Sequence, residues 1–354
     1  MLKMLISFLF FLLISSPSQA FDPICRDFFL PPVPKQKLQA IQKLNIGSYN
    51  VLNLNHSVGR YQDINGQRVF VPDKKAKPEW QQREVAKAIK ETNLDIIVLQ
   101  EVEGINALDD FASTYLDDLY YPIVMEGNDG RGIEIGFLVK KNLPFEINMQ
   151  SYKEMTWQDP LNNNQTEKLF SRDLPVMNLY FSNTQPRGPP DMVLIGTHYK
   201  SQRGSGTDPT SKITREAQAK ETARIVKGLK EKHGPKTPIL LAGDFNADIN
   251  SSEFTHLKED GLLNEALEVK NVNPEDRITH TYHPRDAETK YSQLDAIMFT
   301  PDFTKYVEDA GVYRYKDANG NVKPIPRTYE EREGNPSDHF MTWMKVDFSS
   351  FLNR

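Results

Sequence analysis

The chain has 354 residues and a mass of 40.6 kDa, with 26% charged and 38% hydrophobic residues, a balance that excludes a disordered tail and a membrane bundle. Lys and Arg number 43 against 48 Asp and Glu, a formal charge of −5, which disfavours a protein that merely coats nucleic acid through a basic surface. The single cysteine, Cys25, permits no internal disulfide.

The N-terminus has the pattern of an export signal. Lys3 supplies positive charge, Met4 to Ile14 is almost entirely apolar, and Ser18-Gln19-Ala20 is a small-x-small cleavage site. An apolar stretch of about eleven residues is too short to span a bilayer, which takes roughly 18 or more. Residues 1–20 are therefore expected to be a signal peptide, with a mature chain that starts at Phe21, is secreted or periplasmic, and has no stable membrane anchor. Prolines 23, 31, 32 and 34 mark residues 21–42 as a linker, and order is expected from about Lys43. Residues 43–354 are expected to form one domain and to act as a monomer.

From there, short apolar runs alternate with helix-competent stretches. Strands are predicted at Leu44 to Val51, Asp95 to Gln100, Ile133 to Val139, Met192 to Thr197, Ile239 to Gly243, Ala296 to Phe299 and Phe340 to Val346. Pro78 to Glu91 carries Val85, Ala88 and Ile89 on one helical face, and Ser211 to Lys232 carries Ala219, Ala223, Val226 and Leu229. Gln150 to Lys168 and Tyr313 to Asn335 read as surface loops. Several predicted strands are apolar throughout, as in Ile96 to Leu99 and Ile239 to Ala242, which indicates strands covered on both faces. The expected architecture is an α/β sandwich with sheets inside and helices outside.

Strand after strand ends in a hydrogen-bonding or ionisable residue. Asn50, Glu101, His198 and Asp244 close four of them, and Asn246 lies just beyond the last. Any one could simply cap a turn; four in series point to convergence on one edge. Asp295 sits in an apolar context and needs a partner, for which a histidine is suited. Asp338-His339 precedes the final strand. This oxygen-rich set, without a cysteine cluster, suits hard cations such as Mg²⁺, Mn²⁺ or Ca²⁺. No zinc-protease, dinucleotide, P-loop or serine-hydrolase motif occurs at a suitable place, leaving metal-assisted attack of water on phosphorus or carbonyl.

Tyr-Asn-Val-Leu-Asn (49 to 53), Leu-Gln-Glu-Val (99 to 102), Arg-Gly-Ile-Glu-Ile-Gly (131 to 136), Ser-Arg-Asp-Leu-Pro (171 to 175), Gly-Thr-His-Tyr-Lys-Ser (196 to 201), Gly-Asp-Phe-Asn-Ala-Asp (243 to 248), Leu-Asp-Ala-Ile (294 to 297) and Ser-Asp-His (337 to 339) together resemble the endonuclease/exonuclease/phosphatase superfamily, in family order. Its deoxyribonuclease I-like members are the nearest in pattern. The resemblance implies a four-layer α/β sandwich and Mg²⁺-dependent hydrolysis of phosphate esters, with Mn²⁺ or Ca²⁺ as alternatives. It implies metal contacts at Glu101, Asn50 and Asp338, and a catalytic imidazole at His339 held by Asp295. It further implies a water-orienting pair at Asp244 and Asn246, and a second histidine at His198 with Glu134 as its carboxylate partner. The base is left open between the imidazoles and Asp244.

Arg172 lies in a context resembling a phosphate-binding segment, and Lys200, two residues after His198, points to the same side if the strand continues. Arg203 is a further candidate for backbone phosphates. The expected activity is a secreted endonuclease acting on DNA, with RNA as an alternative substrate. A sphingomyelinase-like phospholipid phosphodiesterase is the second reading and a phosphomonoesterase the third.

Overall fold

The computed structural model describes residues 24–28, 41–55, 59–64, 67–72, 76–143, 145–181, 188–204, 206–284 and 287–352. The expected signal segment lies outside the described residues, as does most of residues 21–42.

The runs that are apolar throughout occupy the centres of two sheets. The first sheet holds β1 (Ile24–Phe28), β6 (Glu146–Ser151), β7 (Val176–Tyr180), β8 (Met192–His198), β9 (Ile239–Asp244), β10 (Asn264–Glu265) and β11 (Asp295–Phe299), in the order β1-β6-β7-β8-β9-β11-β10. The second holds β2 (Lys43–Leu54), β3 (Ile96–Val102), β4 (Tyr120–Val124), β5 (Glu134–Lys140), β12 (Val307–Val312) and β13 (Thr342–Asp347), in the order β12-β13-β2-β3-β5-β4. Each sheet is mixed. Its one parallel pair, β8–β9 in the first and β2–β3 in the second, lies inside antiparallel neighbours.

Three apolar clusters define four layers. Ile46, Val98, Ile135 and Phe137 of the second sheet meet Leu194, Leu240 and Ala242 of the first. Val85 and Ile89 of α1 (Glu79–Thr92) and Leu108 and Phe111 of α2 (Gly104–Tyr115) cover the outer face of the second sheet. Ala219, Val226 and Leu229 of α3 (Lys212–His233) cover the outer face of the first. Every predicted helix-face residue is buried. Each such aliphatic side chain contributes about 1.5–3 kcal/mol when fully buried, which is why these faces order the helices on the sheets.

Close sheet approach requires glycine at two positions. A Cβ at Gly196 would lie 2.8 Å from Ile135 Cγ2, across the gap between the sheets. A Cβ at Gly243 would lie 1.9 Å from the Thr197 carbonyl oxygen, so no side chain fits where β8 and β9 run together toward the site.

All seven predicted strands and both predicted helices are present, and three segments differ from expectation. Ile24–Phe28, inside the presumed linker, pairs antiparallel with β6; it is an edge strand, the position where prolines on either side cost no ladder hydrogen bond. The loop expected at 150–168 contains a hairpin, Thr156–Asp159 with Gln165–Lys168. Its turn closes because Asn163 and Asn164 adopt the left-handed conformation that asparagine tolerates. The segment 313–335 carries a Lys316–Val322 bridge and a short helix, Tyr329–Glu333, with a Thr328 cap.

Candidate active site

Register sets the first row of the site. His198 on β8 stands opposite Asp244 on β9, and Asp244 stands opposite Asp295 on β11, so the three form one row across adjacent strands. Asn50 and Glu101 come from the parallel pair of the second sheet, at the same end of the sandwich. His339 enters ahead of β13 through a bridge to His280.

The second-sheet side is strained where it delivers its carboxylate. The β3–β5 ladder slips between Gln100 and Val102, and Glu101 takes φ 64°, a conformation that costs a non-glycine residue of order 1–3 kcal/mol. Leu52, Asn53 and Asn246 are also left-handed, with φ of 51°, 54° and 55°. Hydrogen bonds hold these turns. Asn53 N donates to Glu101 Oε2 at 3.1 Å, Leu52 N to Asn50 Oδ1 at 3.0 Å, and Asn246 N to Asp244 Oδ1 at 2.7 Å.

Asp244 Oδ2 is the hub. It accepts from Asn50 Nδ2 at 3.0 Å and Asn246 Nδ2 at 3.3 Å, and it lies 3.6 Å from His198 Nε2 and 3.8 Å from His339 Nε2. His339 Nδ1 is 2.7 Å from Asp295 Oδ2. Asp295 is fully buried, and its backbone N–H, like that of Leu294, donates to Thr279 Oγ1. The His339 backbone is pinned as well: its N–H donates to Ser337 Oγ, Ser337 Oγ donates to Asn50 O, and Tyr315 donates to the His339 carbonyl.

The two imidazoles have opposite electrostatic fates. Burial pulls His198 well below the ordinary histidine range, and the nearby Arg172, His339 and Arg131 add to the effect. Burial would do the same to His339, but Asp295, Asp244 and Asp338 overcome it and raise its pKa. At neutral pH one ring is neutral and the other cationic, the separation that divides base and acid work between like residues. Burial, with Asp295, drives Asp244 upward against the pull of His339.

The residues present fit a divalent cation. Burial raises Glu101, and Asp338 and Asp244 add to it against the pull of His339 and the Asn50 hydrogen bond, so a cation would favour its charged form. Asp338 Oδ1 is buried with no hydrogen-bond partner among the described residues. Ligand atoms of His280, Asp338 and His339 lie within 4.8 Å of one another, as do those of Asp244, Asp295 and His339, forming a buried acidic and histidine group that could bind a metal ion. Glu101 stands outside both groups and reaches Asn50 Nδ2 at 3.4 Å.

A cationic rim borders this cluster. Arg172 donates to the Tyr199 carbonyl at 3.0 Å and pairs with Asp129, which also holds Arg131. A depression of about 360 Å³ is lined by Arg131, Arg172, Lys200 and Arg203. Burial lowers the pKa of Lys200, and the neighbouring guanidiniums lower it further, as expected of cations crowded around a space suited to an anion.

Two expectations need correction. Glu134 is not the partner of His198: its Oε2 accepts from Gly127 N at 2.7 Å, while His198 Nδ1 is buried without a hydrogen-bond partner among the described residues. The bulge at Glu101 sets Glu134 opposite Val102 and turns it to the Gly127 loop. Lys200 does not reach the rim by strand alternation, since β8 ends at His198; the Gln218 side chain, accepting from Lys200 N at 2.9 Å, places it instead.

Sequence reasoning missed four contributors. Arg332 pairs with Asp338 at 3.2 Å, His280 packs on His339 with ring centroids 4.7 Å apart, and Asp129 fixes Arg172. Lys77 is buried, donates to the carbonyls of Leu52 and Pro336, and is pulled by burial down to about 8. The His280–His339, Asp129–Arg172 and Lys77 contacts join segments distant in the chain, whereas Arg332–Asp338 and the Asp129-Gly-Arg131 charge pair are local.

Burial, with Asp173, Asp129 and Glu126 nearby, pushes the Glu134 carboxyl up to about 7, against 4.5 for an ordinary glutamate. The folded state therefore holds this proton more tightly than the unfolded chain. The resulting destabilisation is absent below pH 4.5, grows between 4.5 and 7, and is complete above 7. Glu134→Gln is expected to match the parent at pH 4.5 and to exceed it by about 1–2 kcal/mol at pH 8. Thermal melts at the two pH values check this; equal differences at both would contradict it.

The fold is similar to that of many solved structures, among them these three, each at low identity. D. rerio TDP2 complexed with single strand DNA product shares 15% identity at a TM-score of 0.52, covering 86% of this chain and 99% of that one. The mannosyl-6-phosphatase of Bacteroides thetaiotaomicron shares 18% at 0.50, covering 86% and 99%. The human Nocturnin catalytic domain with bound sulfate anion shares 16% at 0.51, covering 92% and 97%. A search of curated proteins finds no match. The model of the Endonuclease/Exonuclease/phosphatase family matches residues 47–339, which carry every site residue described above, and the chain belongs to that family, whose members are hydrolases acting on phosphoester bonds.

Proposed function

We propose that the protein is a divalent-metal-dependent phosphodiester hydrolase that cuts nucleic acid, with DNA as its principal substrate. The observation that carries this reading is the juxtaposition of the His198–Asp244–Asp295 row and His339 with a rim of Arg131, Arg172, Lys200 and Arg203. The row supplies proton transfer at phosphorus, and the rim supplies more positive charge than one phosphate needs, as a polyanionic chain would use. D. rerio TDP2, with its single strand DNA product, is a precedent on this fold.

Glu101, Asp338 and Asn50 would hold the metal, Mg²⁺ by its preference for oxygen donors, and a bound cation would neutralise charge on the phosphate and lower the barrier to attack. The chain's own groups do the rest. Asp244, oriented by the two amides and raised toward neutrality, takes the proton as a water oxygen forms its bond to phosphorus. His339, kept cationic by Asp295, protonates the leaving oxygen as its bond to phosphorus breaks. His198, kept neutral, has an N–H to lay on a non-bridging oxygen.

A lipid substrate would call for an exposed apolar surface beside the site. The hairpin of His280–Tyr282 with Lys290–Ser292 does border it and exposes Tyr282 and Tyr291. Thr281 stands opposite Tyr291, so the two tyrosines project from opposite faces and make no common docking plane. Among the described residues, no helix is long and apolar enough to cross a membrane. We place the enzyme outside the cytoplasm on the strength of its N-terminal signal pattern. The test is hydrolysis by the purified protein of plasmid DNA, single-stranded RNA, a sugar phosphate and sphingomyelin vesicles. Cleavage of the plasmid supports the reading, and turnover of another substrate with the plasmid intact refutes it.

A further inference from the structure

Beside the rim lies a second, larger cavity of about 750 Å³ that the chemistry above does not use. Its walls are the hairpin of Thr156–Asp159 with Gln165–Lys168 and the loop that leads into α3. Trp157 contributes a partly buried indole that packs on the core at the outer face of the first sheet. Ser171, Lys200 and Arg203 line this cavity and the rim depression alike, so the two spaces adjoin, with Arg172 on one side and Trp157 on the other.

The walls are built rather than incidental. Gln218 donates to the Leu169 carbonyl at the foot of the hairpin and accepts from Lys200 N in the loop, tying both walls through one buried side chain. Arg215, buried and paired with Glu253, donates to the carbonyls of Lys200 and Thr210. Gly204 lies so near Asp208 that a Cβ would sit 1.8 Å from its carbonyl oxygen. Ser211, 3% exposed and left-handed at φ 56°, is among the lining residues, and its buried Oγ has no hydrogen-bond partner among the described residues.

The placement of the charges and of the indole points to the ligand class. The lining is mixed in charge: Asp159 and Glu167 lie on the hairpin, which also carries Lys168 paired with Glu154, Asp208 caps Lys212 N and Ile213 N, and Lys200 and Arg203 lie on the side shared with the rim. Lys200 Nζ and the Arg203 guanidinium have no ion-pair partner among the described residues. Two cations without an ion-pair partner and an aromatic face suit a nucleotide whose phosphates track the cations while its base stacks.

We propose that this cavity is a nucleotide subsite for an unpaired stretch of the substrate, with one base stacked on Trp157 and the flanking phosphates on Lys200 and Arg203. A base paired in a duplex cannot lie against the indole, so the subsite favours single-stranded or frayed DNA next to the cleaved bond. The proposal rests on the nucleic-acid reading of the neighbouring site.

The test is equilibrium binding of a thymidine oligonucleotide to the full chain in EDTA, followed by tryptophan fluorescence and by anisotropy of a labelled strand. The parent is expected to show quenching. Trp157→Ala is expected to lose that quenching and to bind about 5- to 150-fold more weakly, the range given by one base–aromatic stack. Trp157→Phe, which keeps the packing and an aromatic face, should retain most of the affinity. Arg203→Ala, at an exposed position, should lower the slope of log K against log salt by about 0.7. Parental affinity in Trp157→Ala, or no quenching in the parent, would overturn the subsite. The two readings fail separately: quenching without metal-dependent plasmid cleavage sinks the nuclease assignment alone, and cleavage with parental binding by Trp157→Ala sinks the subsite alone.

Discussion

Replacing His339 by asparagine should lower kcat on DNA by about 10²–10⁴-fold, and Asp295→Asn should lower it by about 10²-fold or more. His339 stands where three carboxylates can act on it: Asp295 Oδ2 at 2.7 Å, Asp244 Oδ2 at 3.8 Å, and Asp338 next to it in the chain. Removing the ring takes away a proton donor and leaves Asp244 and Asp295, which are register neighbours, facing each other with less compensation. His339→Ala should therefore also lose stability, about 3–5 kcal/mol as for other buried pairs deprived of one partner. Asparagine at 295 preserves shape and a hydrogen bond to Nδ1 while removing the charge that keeps the ring cationic. Steady-state kinetics on a DNA oligonucleotide, with thermal melts as the control for folding, check both variants. Parental turnover in His339→Asn would remove His339 from the chemistry, and parental turnover in Asp295→Asn would remove the need for Asp295 to keep the ring cationic.

Glu101→Gln separates metal binding from folding. In EDTA the variant should melt above the parent, because a carboxylate raised by burial and by Asp338 and Asp244 destabilises the metal-free fold and an amide does not. Added Mg²⁺ should reverse the order. The parent gains RT ln(1 + [Mg²⁺]/Kd), about 2.7 kcal/mol at one hundred times Kd, which is several degrees for a chain of this size, whereas the variant gains little. Turnover by the variant should fall below detection at Mg²⁺ concentrations that saturate the parent. Melting curves with and without metal read this directly, and an equal Mg²⁺ response in the two proteins would place the cation elsewhere.

The parts of the fold that were legible in the sequence are those fixed by local pattern. The central strands read as strands because burial on both faces demands apolar residues at every position, as in Ile96 to Leu99. Helices α1 and α3 read as helices because their buried residues recur at 3.6-residue spacing. Helix α2 escaped notice, since it begins at a glycine, has no side-chain cap bond and carries Asp109, Asp110 and Ser113 among its buried Ala107, Leu108, Phe111 and Ala112. Strand β7 escaped because Asn178 interrupts its five residues; only the structure shows that amide meeting Asn148 on β6.

The same division holds for the site. The strand-terminal row was visible because a chemical residue closing an apolar run is a local feature. What the sequence hid is the company each residue keeps. Lys77 between two carbonyls, His280 packed on His339 and Asp129 on Arg172 join distant segments, while Arg332 beside Asp338 and the Gly127 amide on Glu134 are short-range contacts that no residue pattern marks. The left-handed turn at Glu101 has no signature either, because a glutamate at φ 64° is imposed by the surrounding ladder and not by its own preference.

The central claim is that this cluster hydrolyses nucleic acid phosphodiesters with a divalent metal, and the most direct measurement is conversion of supercoiled plasmid by the purified protein in Mg²⁺ and in EDTA, with His339→Asn as the background control. The expected result is nicked and then linear DNA in Mg²⁺ only, absent from the variant. An intact plasmid in Mg²⁺, with phosphate released from a sugar phosphate or phosphocholine from sphingomyelin vesicles, would contradict the claim and assign the same residues to a different phosphoester.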